Sequence, residues 1–210
     1  MSHWIDCRAP VFFDTDCFAC FLWTSSLLTL HKLIPGRLFL PEEVISELEQ
    51  RKRTSRKVQF ALSDLKKFIE TGRAKVIEIP VTSPKREEYL RLVRGTFNGV
   101  CLGSGESAAM VHARFDHGIV ASNNHRDVSA YCDRYEIPII DTSAIMIAAV
   151  DRRVLSLDEA CSLWSRMLRE GRWLPTDNFM EVWKGFAPSG IEVAASDECP
   201  LGRDENDRRQ

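Results

Sequence analysis

The chain has 210 residues, of which 44% are hydrophobic and 28% are charged, and its formal net charge is −2. This length supports one complete hydrophobic core with a small appendage, and the composition excludes a chain that is disordered throughout. The near-neutral charge also excludes a uniformly basic surface, so any basic surface that binds a nucleic acid must be local.

Apolar strand-like runs alternate along the chain with helical patterns, which predicts an α/β fold with a parallel sheet. Strands are predicted at residues 11–13, 37–40, 74–79, 119–121 and 137–140. Pro41 opens one predicted helix, and further helices are predicted at residues 17–30, 58–70, 84–94, 105–117, 125–135, 143–150, 157–171 and 178–184.

The two ends of the chain differ from this pattern. Residues 1–10 are predicted to form an N-terminal tail and no signal peptide, because Asp14 and Asp16 interrupt the apolar run behind them. Residues 151–186 form a predicted helical extension that packs its aromatic residues on the core, and the polar residues 187–210 are predicted to be a disordered tail. The aromatic residues of the extension are Trp164, Trp173, Phe179 and Trp183.

The seven cysteines are odd in number and irregularly spaced. The pair Cys17 and Cys20 has no second C-x-x-C partner and lies in an apolar run, which is typical of core packing. Unpaired thiols favour a reducing cytoplasm. No uncharged run reaches the roughly 18 residues of a membrane span, so we expect a cytoplasmic protein that does not contact membranes.

Three predicted strands end in polar side chains. These are Asp14 after the first strand, residues 122–124 after the fourth, and Asp141 with Thr142 after the fifth. Open α/β sheets bind ligands at the carboxyl ends of their strands, so we expect one shared polar pocket there. A buried carboxylate is costly unless it is paired, hydrogen-bonded or bound to metal. The alternative is that Asp14 accepts backbone hydrogen bonds and Asp16 caps the next helix.

Two glutamates and one basic run have both an ordinary and a functional explanation. Glu47 borders the buried side of its helix, and Glu106 lies in the first turn of a helix for which Ser104 is a candidate cap. Either side chain can be a solvated or dipole-compensating helix acid. The densest basic run, residues 51–57, can be a solvated surface or can hold phosphates.

Several segments, in this order, together resemble the PIN domain family. F-F-D-T-D at 12–16 resembles its first strand and first metal-binding acid, and P-E-E-V-I-S-E-L at 41–48 resembles the helix with the second acid. G-S-G-E-S-A-A at 103–109 resembles the helix with the third acid. V-A-S-N-N-H-R-D-V at 120–128, followed by I-P-I-I-D-T at 137–142, resembles the last two strands. The resemblance spans residues 11–150 and makes this the predicted nuclease domain.

The resemblance implies a three-layer αβα fold with a five-stranded parallel sheet in the order 3-2-1-4-5, followed by C-terminal helices. It also implies that Asp14, Glu47 and Glu106 bind Mg²⁺ or Mn²⁺. The family often has an aspartate where this chain has Asn124, and Asp127 is then the expected fourth acid. Asn124 and Asp127 would orient water or a second metal. The expected supporting residues are Thr15, Asp16, Ser122 and Thr142.

The function implied by the resemblance is metal-dependent endoribonuclease activity on single-stranded RNA. Mg²⁺ takes carboxylate and water oxygens, and it can generate the nucleophile for phosphodiester hydrolysis. Clustered carboxylates without metal are expected to have raised pKa values. Because many small bacterial members are toxins of toxin–antitoxin pairs, an antitoxin protein and a homodimer are candidate partners. The candidate RNA-binding residues are Arg51, Lys52, Arg53, Arg56 and Lys57.

Two other functional classes remain open at the level of sequence. One is a catalytically silent PIN-like module that binds RNA or protein. The other is a haloacid-dehalogenase-like phosphatase, because Asp14 and Asp16 form a D-x-D pair. Phosphatases of that kind usually have threonine two residues after the second aspartate, where this chain has Phe18.

Overall fold

A computed structural model of the protein describes residues 3–50 and 55–186. In this part of the chain the strands form one parallel sheet in the order β3-β2-β1-β4-β5, which confirms the predicted sheet. The strands are β1 (Val11–Phe13), β2 (Leu38–Pro41), β3 (Lys75–Ile77), β4 (Ile119–Ala121) and β5 (Ile139–Ile140).

Helices connect the strands and cover both faces of the sheet. In chain order they are α1 (His3–Asp6), α2 (Thr15–Leu22), α3 (Leu27–Leu33), α4 (Glu42–Gln50), α5 (Arg56–Glu70), α6 (Pro84–Val93), α7 (Ser104–Phe115), α8 (His125–Arg134), α9 (Thr142–Asp151), α10 (Leu157–Arg169) and α11 (Phe179–Phe186).

The central strand β1 separates two hydrophobic cores. Val11 and Phe13 point to one side, where they pack with the buried faces of α2, α3, α9 and α10. Phe12 points to the other side, where it packs with α6, α7 and α8. Successive residues of a strand alternate between the faces of a sheet, so three consecutive apolar residues require cores on both faces. The result is the predicted three-layer αβα arrangement.

The predicted helix at residues 17–30 is wrong, because α2 ends at Leu22 and α3 begins at Leu27. The hydroxyl of Thr24 donates to the carbonyl oxygen of Cys20 at 2.7 Å, and that of Ser26 donates to the carbonyl oxygen of Phe21 at 3.2 Å. Such side chains compete with the helical backbone and end the helix. Ser25 has a positive φ of 55° in the resulting turn.

The N-terminal segment contains α1, and Arg37 holds it against the sheet. The guanidinium group of Arg37 donates to the carbonyl oxygens of Trp4, Ile5 and Ala9 at 2.8–2.9 Å. Trp4 and Ile5 also pack against the first core.

The expectation for residues 187–210 lies outside the described residues. In the described part, no helix is long and apolar enough to cross a membrane.

The C-terminal helices pack on the core, with Trp164 and Phe179 buried and Trp183 partly buried. The expectation for Trp173 is wrong, because this side chain is 83% exposed. Trp173 lies in the connection between α10 and α11, where its neighbour Leu174 takes the buried position instead. Cys17 and Cys20 are buried thiols of the core, as predicted.

Candidate metal centre

The candidate site lies at the carboxyl ends of β1, β4 and β5, which are neighbours in the sheet. Asp14 follows β1 and caps α2, Ser122 and Asn124 follow β4, and Asp141 follows β5 and caps α9. The parallel pairing of these strands places all three ends at one edge. The topology therefore brings the three polar strand ends to one edge of the sheet, and a single pocket shared by them stays a prediction.

Asp14 is buried, and only one of its carboxylate oxygens is satisfied by the protein. Oδ1 accepts a hydrogen bond from the amide of Cys17 at 2.7 Å, whereas Oδ2 has no hydrogen-bond partner in the described residues. Burial raises the pKa of Asp14 from 3.8 to about 7, and the charges of Glu106 and Asp16 add smaller increases. Ser122 and the Cys17 amide act in the opposite direction and are too weak to offset burial.

Glu47 connects α4 to the start of α7. Its Oε1 accepts from the amide of Gly105 at 2.8 Å and from the hydroxyl of Ser104, and its Oε2 accepts from the hydroxyl of Thr15. A Cβ atom at Gly105 would lie 2.5 Å from the Thr15 hydroxyl oxygen. The site therefore requires glycine at this position. Ser104 is not the predicted cap, because Gly103 takes that position and the Ser104 hydroxyl is directed to Glu47.

Asn124 lies between two carboxylates. Its Nδ2 donates to Oε1 of Glu106 at 2.8 Å and to Oδ2 of Asp127 at 2.7 Å. Burial is the main cause that raises the pKa of Glu106, and the charge of Asp127 contributes to the rise. The partly positive amide group therefore occupies a position where a cation would also be favourable. Asn124 joins Glu106 and Asp127 into one hydrogen-bonded group.

The expected supporting residues differ in their distance from the carboxylates. Thr15 touches Glu47 directly, and Ser122 accepts from the amide of Asn124 at 3.1 Å. Thr142 is buried, and its hydroxyl lies 3.7 Å from Sγ of Cys17, which follows Asp14 in α2. Asp16 is exposed, and its Oδ1 lies 3.7 Å from Nη1 of Arg172.

Only part of the predicted basic surface lies in the described residues. Arg51, Lys52 and Arg53 lie outside the described residues. Arg56 is exposed at the start of α5, and Lys57 forms an ion pair with Glu170. The structure therefore shows an acidic partner for Lys57 and leaves RNA binding by the run as a prediction.

The residues present fit a divalent cation that keeps part of its water shell. Within residues 3–50 and 55–186, no group of three His, Cys, Asp or Glu side chains is placed to hold a metal ion directly. However, Mg²⁺ is usually bound by one or two carboxylates and several waters. The unpartnered Oδ2 of buried Asp14 is suited to such an ion, because it lacks the compensation that a buried carboxylate needs.

Sequence reasoning missed two groups at this edge. One is the pair formed by Ser104 and Gly105, which binds Glu47 across 57 and 58 positions of sequence. The other is Arg172 with Trp173, which lines a cavity beside Asn124. The sequence did contain a signal for the second group. Arg172 and Trp173, a cation and an aromatic residue, directly follow Gly171 at the end of a predicted helix.

The curated proteins contain no match to this chain. A family model described as PIN domain matches residues 10–186, which include the sheet, both cores, the carboxylates at the sheet edge and the C-terminal helices. The match confirms the resemblance and extends it beyond the predicted nuclease domain into the helical extension. The chain therefore belongs to the PIN domain family, whose fold is of the nuclease type.

Proposed function

We propose that the protein is a metal-dependent endoribonuclease that hydrolyses phosphodiester bonds in single-stranded RNA. The observation that carries this proposal is buried Asp14, whose Oδ2 lacks a partner at the end of the central strand. A purely structural aspartate would have both oxygens satisfied or exposed. The group formed by Glu106, Asn124 and Asp127 supplies further oxygen atoms at the same sheet edge.

The chain's own residues have separate tasks in this proposal. Asp14 would offer Oδ2 to Mg²⁺ or Mn²⁺, and Glu106 and Asp127 would hold the ion through water molecules. Asn124 keeps these two carboxylates together by hydrogen bonds to both. Glu47 accepts hydrogen bonds from Thr15 and from the amide of Gly105. These contacts fix the position of α7, which carries Glu106. The bound ion would supply charge neutralisation and a more acidic water for attack on the phosphodiester.

The substrate and the partners belong to the proposal as well. Residues 51–53, with Arg56 and Lys57, are the candidate phosphate-binding run, which follows in the sequence the helix that carries Glu47. An antitoxin protein and a homodimer remain candidate partners, and the toxin role is proposed only on the basis of family membership. Phosphate contacts would appear as salt-dependent RNA binding.

The decisive experiment incubates the purified chain with mixed single-stranded RNA and DNA in Mn²⁺ and in chelator. We expect RNA cleavage that requires Mn²⁺ and that is lost in Asp14→Asn, while the circular dichroism spectrum is unchanged. Asp141→Asn is a matched control that should retain cleavage. Asp141 also follows a strand and caps a helix, but both its oxygens have protein partners, the Ala144 amide nitrogen at 2.8 Å and Nε2 of His125 at 3.2 Å. Full activity of Asp14→Asn would exclude this site.

A catalytically silent RNA-binding module is the second candidate. It is favoured by the Asn124 amide, which already satisfies one oxygen of Glu106 and one of Asp127 without metal. RNA binding without metal-dependent cleavage would support it. We do not propose the phosphatase, because the family match is to the PIN domain and because Phe18 is buried in the core.

A further inference from the structure

A cavity of about 270 Å³ lies beside the candidate metal centre and reaches the connection between α10 and α11. It is lined by Asp16, Cys20, Asn123, Asn124, Gly171, Arg172 and Trp173. Asn124 lines this cavity and also donates a hydrogen bond to Glu106 in the candidate metal centre. The volume is close to the lower limit of small-ligand pockets, roughly 300 Å³, so the cavity has room for one small group.

We propose that Trp173 and Arg172 form a subsite for one unpaired nucleotide of the RNA, with its base on Trp173 and its phosphate at Arg172. This inference rests on the proposed function, because it assigns a neighbouring nucleotide of the same substrate. Unpaired bases in single-stranded RNA stack on aromatic side chains and on arginine planes. The cavity therefore extends the site from the reacting phosphate to the adjacent nucleotide.

Arg172 carries an unused donor in this cavity. Its side chain is only 17% exposed, and its Nε has no hydrogen-bond partner in the described residues. Its Nη1 lies 3.7 Å from Oδ1 of Asp16, which is within ion-pair distance and too long for a hydrogen bond. A buried N–H without a partner is costly, and a phosphate oxygen would satisfy the Nε–H of Arg172.

Trp173 is exposed because the residues on both sides of it are anchored. The amide of Arg172 donates to the carbonyl oxygen of Met167 at 3.1 Å, and Gly171 provides the positive φ of 68° that ends the helix. On the other side, Leu174 is buried, and the indole nitrogen of Trp164 donates to the carbonyl oxygen of Thr176 at 2.9 Å. The loop therefore presents the indole ring at the rim of the cavity.

A single exposed aromatic residue is ordinary, so the position of Trp173 carries the argument. Phe60 on α5 is also strongly exposed, at 71%, and it does not line this cavity. Phe60 therefore provides a matched control for the loss of an exposed aromatic ring. Trp173 differs from it in sharing a cavity with an unsatisfied arginine and with a residue of the metal centre.

The test measures RNA binding in the full chain with Asp14→Asn as background, so that RNA is not consumed. The probes are a fluorescein-labelled single-stranded oligouridine and a hairpin duplex, measured by anisotropy. Trp173→Ala is expected to weaken single-strand binding by about 5- to 150-fold, the usual range for loss of one stacked base. Trp173→Phe should retain most of the affinity, and both Phe60→Ala and duplex binding should be unchanged.

Arg172 is tested by the salt dependence of the same binding. Arg172→Gln should reduce the slope of log K against log salt by about 0.7, the value for one single-strand phosphate contact, and Arg172→Lys should keep it. Melting temperatures of all variants exclude misfolding. The proposal is overturned if Trp173→Ala binds oligouridine as tightly as Phe60→Ala, or if single-strand and duplex affinities fall equally.

Cleavage by the otherwise unmodified chain separates this inference from the proposed function. If that chain cleaves RNA with Mn²⁺ and Trp173→Ala leaves single-strand affinity unchanged, only the subsite is wrong. If that chain does not cleave RNA and Trp173→Ala still loses affinity, the subsite stands and the nuclease activity is wrong.

Discussion

Replacing Asp14 with asparagine should stabilise the metal-free protein at neutral and higher pH. Burial raises the pKa of Asp14 from 3.8 to about 7, so the folded state retains a proton that the unfolded state has released. Stability from this group is complete below the unfolded pKa and declines as the pH rises towards 7. Above pH 7 the loss reaches about 4 kcal/mol, from 1.36 kcal/mol for each pKa unit.

Asparagine removes this titration but introduces a cost of its own. Its Oδ1 can keep the hydrogen bond from the Cys17 amide, since asparagine caps helices as well as aspartate does. Its amide nitrogen would lie where Oδ2 has no partner, at a cost of about 1–3 kcal/mol. The expected net gain near pH 8 is therefore about 1–3 kcal/mol, or a rise of roughly 2–12 °C in Tm for a chain of this size.

The pH dependence is a sharper test than the gain itself, because the packing cost of asparagine does not titrate. The stability difference between Asp14→Asn and the otherwise unmodified chain should increase by about 3 kcal/mol from about pH 5 to about pH 8 in chelator. Urea unfolding at several pH values measures it. Mn²⁺ in hundredfold excess over its Kd should stabilise the unmodified chain by about 2.7 kcal/mol and the variant far less.

Asp141→Asn is the control for this series. Asp141 caps α9 as Asp14 caps α2, but its side chain is 27% exposed and its second oxygen lies 3.2 Å from Nε2 of His125. Because both oxygens of Asp141 contact the protein, its replacement should not stabilise the protein in chelator. If Asp14→Asn melts below the unmodified chain at every pH, with or without Mn²⁺, Asp14 is a structural cap and the metal centre is wrong.

Three further variants test neighbouring parts of the site. Thr15→Val removes the hydroxyl from Glu47 and should weaken Mn²⁺ binding by about 10- to 100-fold in titration calorimetry; unchanged affinity would contradict the role of that contact. Asn124→Asp should lower Tm in chelator and raise the Mn²⁺ stoichiometry, because it adds a charge beside two carboxylates; an unchanged Tm in chelator would contradict this. Replacing residues 51–53 with glutamine should flatten the salt slope of RNA binding by up to about 2; an unchanged slope would show that this run is not a phosphate surface.

The parts of the fold that follow from local pattern were predictable. The strand at Val11–Phe13 is a continuous apolar run that needs a core on each side, and polar residues mark its end at Asp14. The break between α2 and α3 was not predictable from apolar spacing. It depends on whether the hydroxyls of Thr24 and Ser26 bond to the preceding turn or to solvent, and the sequence alone does not decide between these.

The site was predictable as a set of residues and less so as a set of contacts. Capping rules assign Ser104 to its own helix, whereas the structure directs its hydroxyl to Glu47, which is distant in sequence. Likewise, the sequence does not show which tryptophan is buried and which is exposed. Trp173 is exposed because its neighbours are anchored, and that depends on contacts such as the one from Trp164 to Thr176.

The hydrogen bonds divide the four acids of the site into different roles. Both oxygens of Glu47 are bound by the protein, and one oxygen each of Glu106 and Asp127 is bound by Asn124. Of these four acids, as far as the structure describes the chain, only Asp14 has a buried oxygen without a hydrogen-bond partner, so the strongest demand for a cation is at that atom. The amide of Asn124 donates hydrogen bonds to Glu106 and Asp127 and adds no charge to the site. We therefore expect one tightly bound ion per chain, and a second one only when aspartate replaces Asn124.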